Sequence, residues 1–204
     1  MTKVKICGIR REKDALLAAE LGAWAIGFIF VRASPRVVSP ERAKAIVKSL
    51  PKGILTVGVF QDSDAETMRR IADQCGLGAY QLHGRESAAT CEALSDRPVF
   101  KAFVPKSFDN LRPLAAYEVE AFLIEGRRGG ELSPYQQKMR WSLAIEAKRY
   151  GPVILAGGLN PANVVAAVDT VQPYAVDVSS GVESAPGIKD ARKMQAFFDA
   201  LKSL

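Results

Sequence analysis

The chain has 204 residues, 48% hydrophobic and 25% charged, ordinary globular usage that excludes a disordered, collagenous or membrane-spanning composition. Lys and Arg number 28 against 22 Asp and Glu, a net charge of +6, which suits either nucleic acid or a small anionic ligand. No basic run is interleaved with aromatics, and many basic residues sit beside acids, as Arg42 and Lys44 do beside Glu41, so no nucleic-acid partner is expected.

No window reaches the roughly 18 consecutive apolar residues of a membrane span, and the start MTKVKICG lacks the basic-then-apolar pattern of a leader. Neither membrane nor export is expected. Cys7, Cys75 and Cys91 are an odd number at wide spacings without a C-x-x-C pair, which reads as reduced thiols in the cytoplasm and not as a disulfide framework or zinc site. No linker composition interrupts residues 1–204, so one domain is expected.

Short β-branched runs recur at Val4–Cys7, Ala25–Phe30, Ile54–Phe60, Ala79–Leu82, Val99–Phe103, Ala121–Ile124, Val153–Ala156 and Ala175–Val178. Segments of helical period separate them, for example Ala15, Leu16, Ala19 and Leu21 after the first run, or Met68, Ile71 and Ala72 after the third. A last helix is predicted over Lys189–Leu201. Runs such as GFIF and LTVGVF are apolar on both faces, as parallel strands covered by helices are, and hairpin signals are missing between them. Strict alternation of strand and helix predicts an α/β fold, a single compact (β/α)8 TIM barrel somewhat below the usual size of about 250 residues. The competing open doubly wound sheet lacks its G-x-G-x-x-G fingerprint, since Cys7-Gly8-Ile9-Arg10 follows the first strand.

Barrel chemistry gathers at the carboxyl ends of strands. The first strand delivers Cys7 there, either a small hydrophobe or, beside cationic neighbours, a thiolate base. Cys75 and Cys91 fall within helical patterns and read as packing. Arg32 and Arg36 follow the second strand with guanidinium groups suited to a carboxylate or phosphate, and Arg36 is the stronger ligand contact. His83, the chain's one histidine, ends the fourth strand as a ligand contact or a hydrogen-bonded strand end, and alone it builds no usual metal site. Glu125 ends the sixth strand, where partial burial would suit it to general acid work opposite Cys7, with Glu131 and Asp177 as competing carboxylates.

Gly157 and Gly158 follow the seventh strand, and Asn160-Pro161 reads as N-cap and first helical residue. Ser179, Ser180 and Gly181 follow the eighth strand. Together these turns form a phosphate cradle of backbone N–H groups, hydroxyls and a helix N-terminus. Taken singly, each also reads as a tight turn.

The segments Lys5-Ile6-Cys7-Gly8, Gly27-Phe28-Ile29-Phe30, Ser34-Pro35-Arg36, Gln81-Leu82-His83-Gly84, Leu155-Ala156-Gly157-Gly158-Leu159 and Val176-Asp177-Val178-Ser179-Ser180-Gly181-Val182-Glu183 resemble, in order and over nearly the whole chain, phosphoribosylanthranilate isomerase of tryptophan biosynthesis. The resemblance implies a cofactor-independent Amadori rearrangement of an anionic phosphoribosyl substrate by acid–base catalysis. It implies Cys7 as the base, Arg36 on the anthranilate carboxylate, Asp177 near the reacting centre, and phosphate in the Gly157, Gly158, Ser180 and Gly181 turns. The family's acid is an aspartate where this chain has Glu125. Its Gly-Gly-Thr-Gly-like loop is replaced by Arg127-Arg128-Gly129-Gly130-Glu131-Leu132 and the polar stretch Ser133 to Arg140. An isomerase of a related aminoribosyl phosphate is the nearest alternative, though it implies an aspartate at position 7. A non-catalytic barrel binding a phosphorylated ligand is the other. A monomer or homodimer is expected.

Overall fold

The computed structural model describes residues 2–126 and 134–202, the side chains of 134–136 excepted. Eight parallel strands close a barrel in chain order. They are β1 Lys3–Cys7, β2 Ala25–Ile29, β3 Leu55–Phe60, β4 Ala79–Leu82, β5 Val99–Phe103, β6 Ala121–Glu125, β7 Val153–Ala156 and β8 Ala175–Val178. The helices are α1 Glu12–Glu20, α2 Pro40–Ser49, α3 Ala65–Cys75, α4 Ala88–Ala93, α5 Pro134–Ala147, α6 Val164–Val171 and α7 Ala191–Lys202. The chain is the (β/α)8 barrel its alternation predicts. Helix starts follow local chemistry: Ser39, Asp64 and Ser87 each accept the N–H of the residue three further on, and Pro40 stands at the first position of α2.

The alternation breaks at two places. Between β5 and β6 the expected helix is a 3-10 run, Phe108–Ala116, carrying Pro113 inside it, because proline has no N–H for a continuing α-helix. Before α7 the chain makes a small antiparallel hairpin of β9 Glu183–Ala185 and β10 Ile188–Lys189 around Pro186-Gly187. The last helix therefore begins at Ala191 and not at Lys189.

Strand side chains alternate between two layers. Outward residues, among them Phe28, Phe60, Tyr80 and Phe122, are buried against the helices. Inward residues fill the barrel, with Phe100, Ile154 and Val57 fitted among Ala25, Ala79, Ala121 and Ala175. The amino-terminal end is plugged by Trp24 and Tyr174, their rings 5.7 Å apart and edge-on, with the Lys3 Nζ 4.0 Å from the Tyr174 ring centre. Towards the carboxyl ends the inward positions turn polar: Lys5 then Cys7 on β1, Gln81 then His83 after β4, Leu123 then Glu125 on β6, and Ala175 then Asp177 on β8.

A buried ion pair braces this end from outside. Lys101 Nζ donates to Glu86 Oε2 at 3.1 Å and to the Gly84 carbonyl at 2.8 Å. Glu86 in turn accepts the N–H groups of Asp62 at 2.8 Å and Gly84 at 2.9 Å. The ends of β3 and β4 are thereby tied to β5, which steadies the backbone that carries His83.

Candidate active site

A cavity of about 760 Å³ opens at the carboxyl ends of the strands. Cys7, Arg36, His83, Glu125, Gly157, Gly158, Asp177 and Ser180 all line it. Gly181 packs behind that wall, where a Cβ would lie 1.8 Å from the Leu159 carbonyl oxygen. Arg32 is exposed outside the lining. Glu131, Arg127 and Arg128 lie outside the described residues. The predicted polar stretch from Ser133 runs into α5, whose Gln137 and Arg140 line the cavity.

Glu125 and His83 meet across the mouth, with Nε2 2.8 Å from Oε2. Gln81 Nε2 lies 3.2 Å from the other ring nitrogen, Nδ1, and the buried Gln81 Oε1 has no hydrogen-bond partner. Turning that amide would put an acceptor on Nδ1, so Gln81 supports either tautomer of the ring. Cys75 and Cys91 are buried in the helical layer, as expected.

On the opposite side Lys5, fully buried, donates to Asp177 Oδ1 at 2.8 Å. Burial works against its charge, but Asp177 and Cys7 outweigh it and raise its pKa. Burial pushes the Cys7 thiol up, while Lys5 pulls it back towards ionisation. Arg36 grips Glu183 through Nε at 2.9 Å and Nη2 at 2.7 Å, a fork-like contact that raises the arginine's pKa. Burial opposes the Glu183 charge, yet Arg36 and Lys189, whose Nζ is 3.0 Å away, hold its carboxyl below the ordinary range. Lys189 is itself lowered by burial.

The turn after β7 puts Gly157 at φ 89° and Gly158 at φ 72°, a conformation that favours glycine. Asn160 is not the N-cap expected of it: its Oδ1 accepts the Ala162 N–H at 2.9 Å within a turn, and the residue that caps α6 is Asn163. Regular helix begins only at Val164, later than the Asn160-Pro161 reading, because a turn intervenes. Ser179 and Ser180 from the turn after β8 complete this side of the cavity. Among the described residues, no group of three His, Cys, Asp or Glu side chains is gathered to hold a metal ion. Nor is any helix among them long and apolar enough to cross a membrane.

Sequence reasoning did not assign roles to Lys5, Gln81, Glu183, Lys189 or Arg140. The first two were legible as the inward positions two residues before Cys7 and His83. The others depend on elements distant in sequence.

A closed parallel barrel with its cavity at the carboxyl-terminal mouth is the architecture of the (β/α)8 enzymes. Residues 4–200 match the family model of N-(5'-phosphoribosyl)anthranilate isomerase, and the chain belongs to that family. It is 46% identical over its whole length to the N-(5'-phosphoribosyl)anthranilate isomerase of Geobacter sp. strain M21, also covered completely. A solved phosphoribosylanthranilate isomerase in complex with reduced 1-(o-carboxyphenylamino)-1-deoxyribulose 5-phosphate matches at 37% identity and TM-score 0.88, with all of both chains covered. Monomers generated from the dimeric enzyme of Thermotoga maritima match at 36% identity and TM-score 0.89, again over all of both chains.

Proposed function

We propose that the chain isomerises N-(5'-phosphoribosyl)anthranilate to 1-(o-carboxyphenylamino)-1-deoxyribulose 5-phosphate, with Glu125 as general acid and Cys7 as general base. The observation that carries this reading is the pair of inward side chains at the ends of β1 and β6, facing one cavity whose rim holds the Gly157–Gly158 and Ser179–Ser180 turns. Glu125 gives its proton to the ribose ring oxygen as the C1'–O bond breaks, leaving an open-chain Schiff base. Cys7 then takes the C2' proton, and the electron pair moves onto the Schiff-base nitrogen to form the enolamine. Tautomerisation of the enolamine produces the aminoketone. Atoms and electrons balance within one substrate, so no cofactor is consumed.

His83, 2.8 Å from Glu125, holds the acid's carboxyl where the ring oxygen arrives. The extra methylene of glutamate relative to the family's aspartate is thus anchored at its tip. Arg36 meets the anthranilate carboxylate with the part of its guanidinium that Glu183 leaves available, and Asp177 sits beside the reacting carbons. The substrate phosphate lies on Gly157, Gly158 and Ser180, with Gly181 shaping the turn. The ligand is a small anion, the protein acts in the cytoplasm, and it works as a monomer or a homodimer, as the dimeric relative suggests.

The test is isomerisation of freshly generated phosphoribosylanthranilate, followed as loss of anthranilate fluorescence. Wild type should turn over, and Cys7→Ala and Glu125→Ala should each lose about 10²–10⁴-fold in kcat yet still bind a reduced product analogue. Near wild-type turnover in either variant would remove that residue from its role. Silence of the folded wild type, with Glu125→Asp also silent, would refute the isomerase reading.

A further inference from the structure

We propose that Lys5 is the positioning residue of the base: its buried ammonium is the counter-charge that stabilises the Cys7 sulfur when it ionises, and Asp177 fixes where that ammonium sits. The proposal deepens the role given to Cys7 above and rests on it for its catalytic meaning.

A lysine with no exposed surface in a barrel interior filled mostly by apolar side chains calls for a reason. Stability is a poor one, because a buried ion pair is often replaceable by apolar residues without loss. The geometry offers another. Lys5 and Cys7 are two residues apart on β1 and so share its inward face. Their neighbour on β2 is Gly27, paired in register with Cys7. A Cβ built on Gly27 would lie 2.9 Å from Cys7 Sγ and 3.1 Å from Lys5 Nζ. Sulfur and ammonium therefore converge on the space that the missing side chain leaves open. Asp177, opposite Lys5 in the β1–β8 register, holds the ammonium from the other side at 2.8 Å.

The charges around the sulfur favour the same state. Lys5 on β1, Arg36 after β2 and Lys189 on β10 are the cations that interact with Cys7. Asp177 on β8 and Glu183 on β9 are the carboxylates paired with them. The cluster carries one positive charge more than it balances, and ionisation of Cys7 neutralises it. His83, Glu125 and Arg140 face the same cavity from β4, β6 and α5. Burial alone would keep the thiol protonated. Burial and Asp177 together leave the thiol's pKa raised, and Lys5 is the strongest of the cations that pull it back.

The test is the pH dependence of iodoacetamide alkylation of the full chain, read at Cys7 by peptide mass. Cys75 and Cys91 are separated by mass and have pKa values pushed up to about 11. Lys5→Met should move the Cys7 midpoint upward by a pH unit or more, slowing alkylation at pH 8 about tenfold. That variant strands Asp177, so Lys5→Met/Asp177→Asn, which removes both charges, is measured beside it and should shift the same way. A purely structural Lys5 would leave the midpoint where it is. Unchanged midpoints in the folded variants overturn the proposal, even if wild type isomerises its substrate. A shifted midpoint in a chain without isomerase turnover upholds the pairing and removes only the catalytic role of Cys7.

Discussion

Gly181→Ala is the substitution for which the structure predicts the largest effect from a single methyl group. The new Cβ would lie 1.8 Å from the Leu159 carbonyl oxygen, 2.9 Å from its carbonyl carbon and 3.1 Å from the Asn160 Cα. All three are backbone atoms, so no side chain can swing away. Restoring even 3.0 Å to the oxygen requires the turns after β7 and β8 to part by about 1.2 Å. These turns supply Gly157, Gly158 and Ser180 to one anion, and misplacement of about 1 Å can cost 10²-fold. We expect kcat/KM to fall by roughly 10²-fold, with weaker binding of the phosphorylated product analogue, and overpacking to remove about 1–3 kcal/mol of stability. Fluorescence-detected turnover and thermal melting read the two effects separately. Gly22→Ala is the control for backbone strain without a clash, since a Cβ there meets nothing within 4 Å although φ is 94°; it should lose stability and keep its turnover. If Gly181→Ala kept wild-type kcat/KM and product-analogue affinity, the claim that these turns act as one rigid cradle would fall.

Three further outcomes are expected. Glu86→Ala leaves Lys101 buried with carbonyl oxygens but no counter-ion and should cost about 3–5 kcal/mol, lowering Tm by roughly 6–20 °C; a melting temperature within error of wild type would contradict it. Glu183 has a folded pKa below its ordinary 4.5, so its contribution is complete above that value and is lost as pH falls through the folded pKa. Urea unfolding of wild type and Glu183→Gln should therefore differ most near neutrality and converge in acid, and a gap that widens in acid would reverse the sign. Gly27→Ala pushes a methyl group onto Cys7 Sγ and Lys5 Nζ; turnover should drop tenfold or more, and unchanged turnover would show that the sulfur has room to move.

Much of the fold was legible because one kind of element repeats. Both-faces-apolar runs such as Ala25–Ile29 and Leu55–Phe60 announce covered parallel strands, and β4, β5, β7 and β8 begin and end where the β-branched runs do. The hairpin at 183–189 escaped because its strands are too short for a period and its signal is a single Pro-Gly pair. The 3-10 run at 108–116 escaped because alternation alone does not separate a 3-10 run from an α-helix, and the local mark of the difference is Pro113.

The local pattern also carried Cys7, His83, Glu125, Gly157 and Ser180 to the barrel mouth, since each stands at the end of an apolar run and strand ends are where such barrels act. Sequence by itself determined which residue types reach that end, because strand period and turn chemistry are local. Only tertiary structure decided their partners. Lys5 meets Asp177 across 172 positions of chain and Arg36 meets Glu183 across 147. Those pairings exist because β8 closes on β1, and closure is a property of the whole sheet. The same closure sets the charge around Cys7: it brings Lys5 of β1, Arg36 from the segment after β2 and Lys189 of β10 to one buried sulfur, where low dielectric makes each of them count.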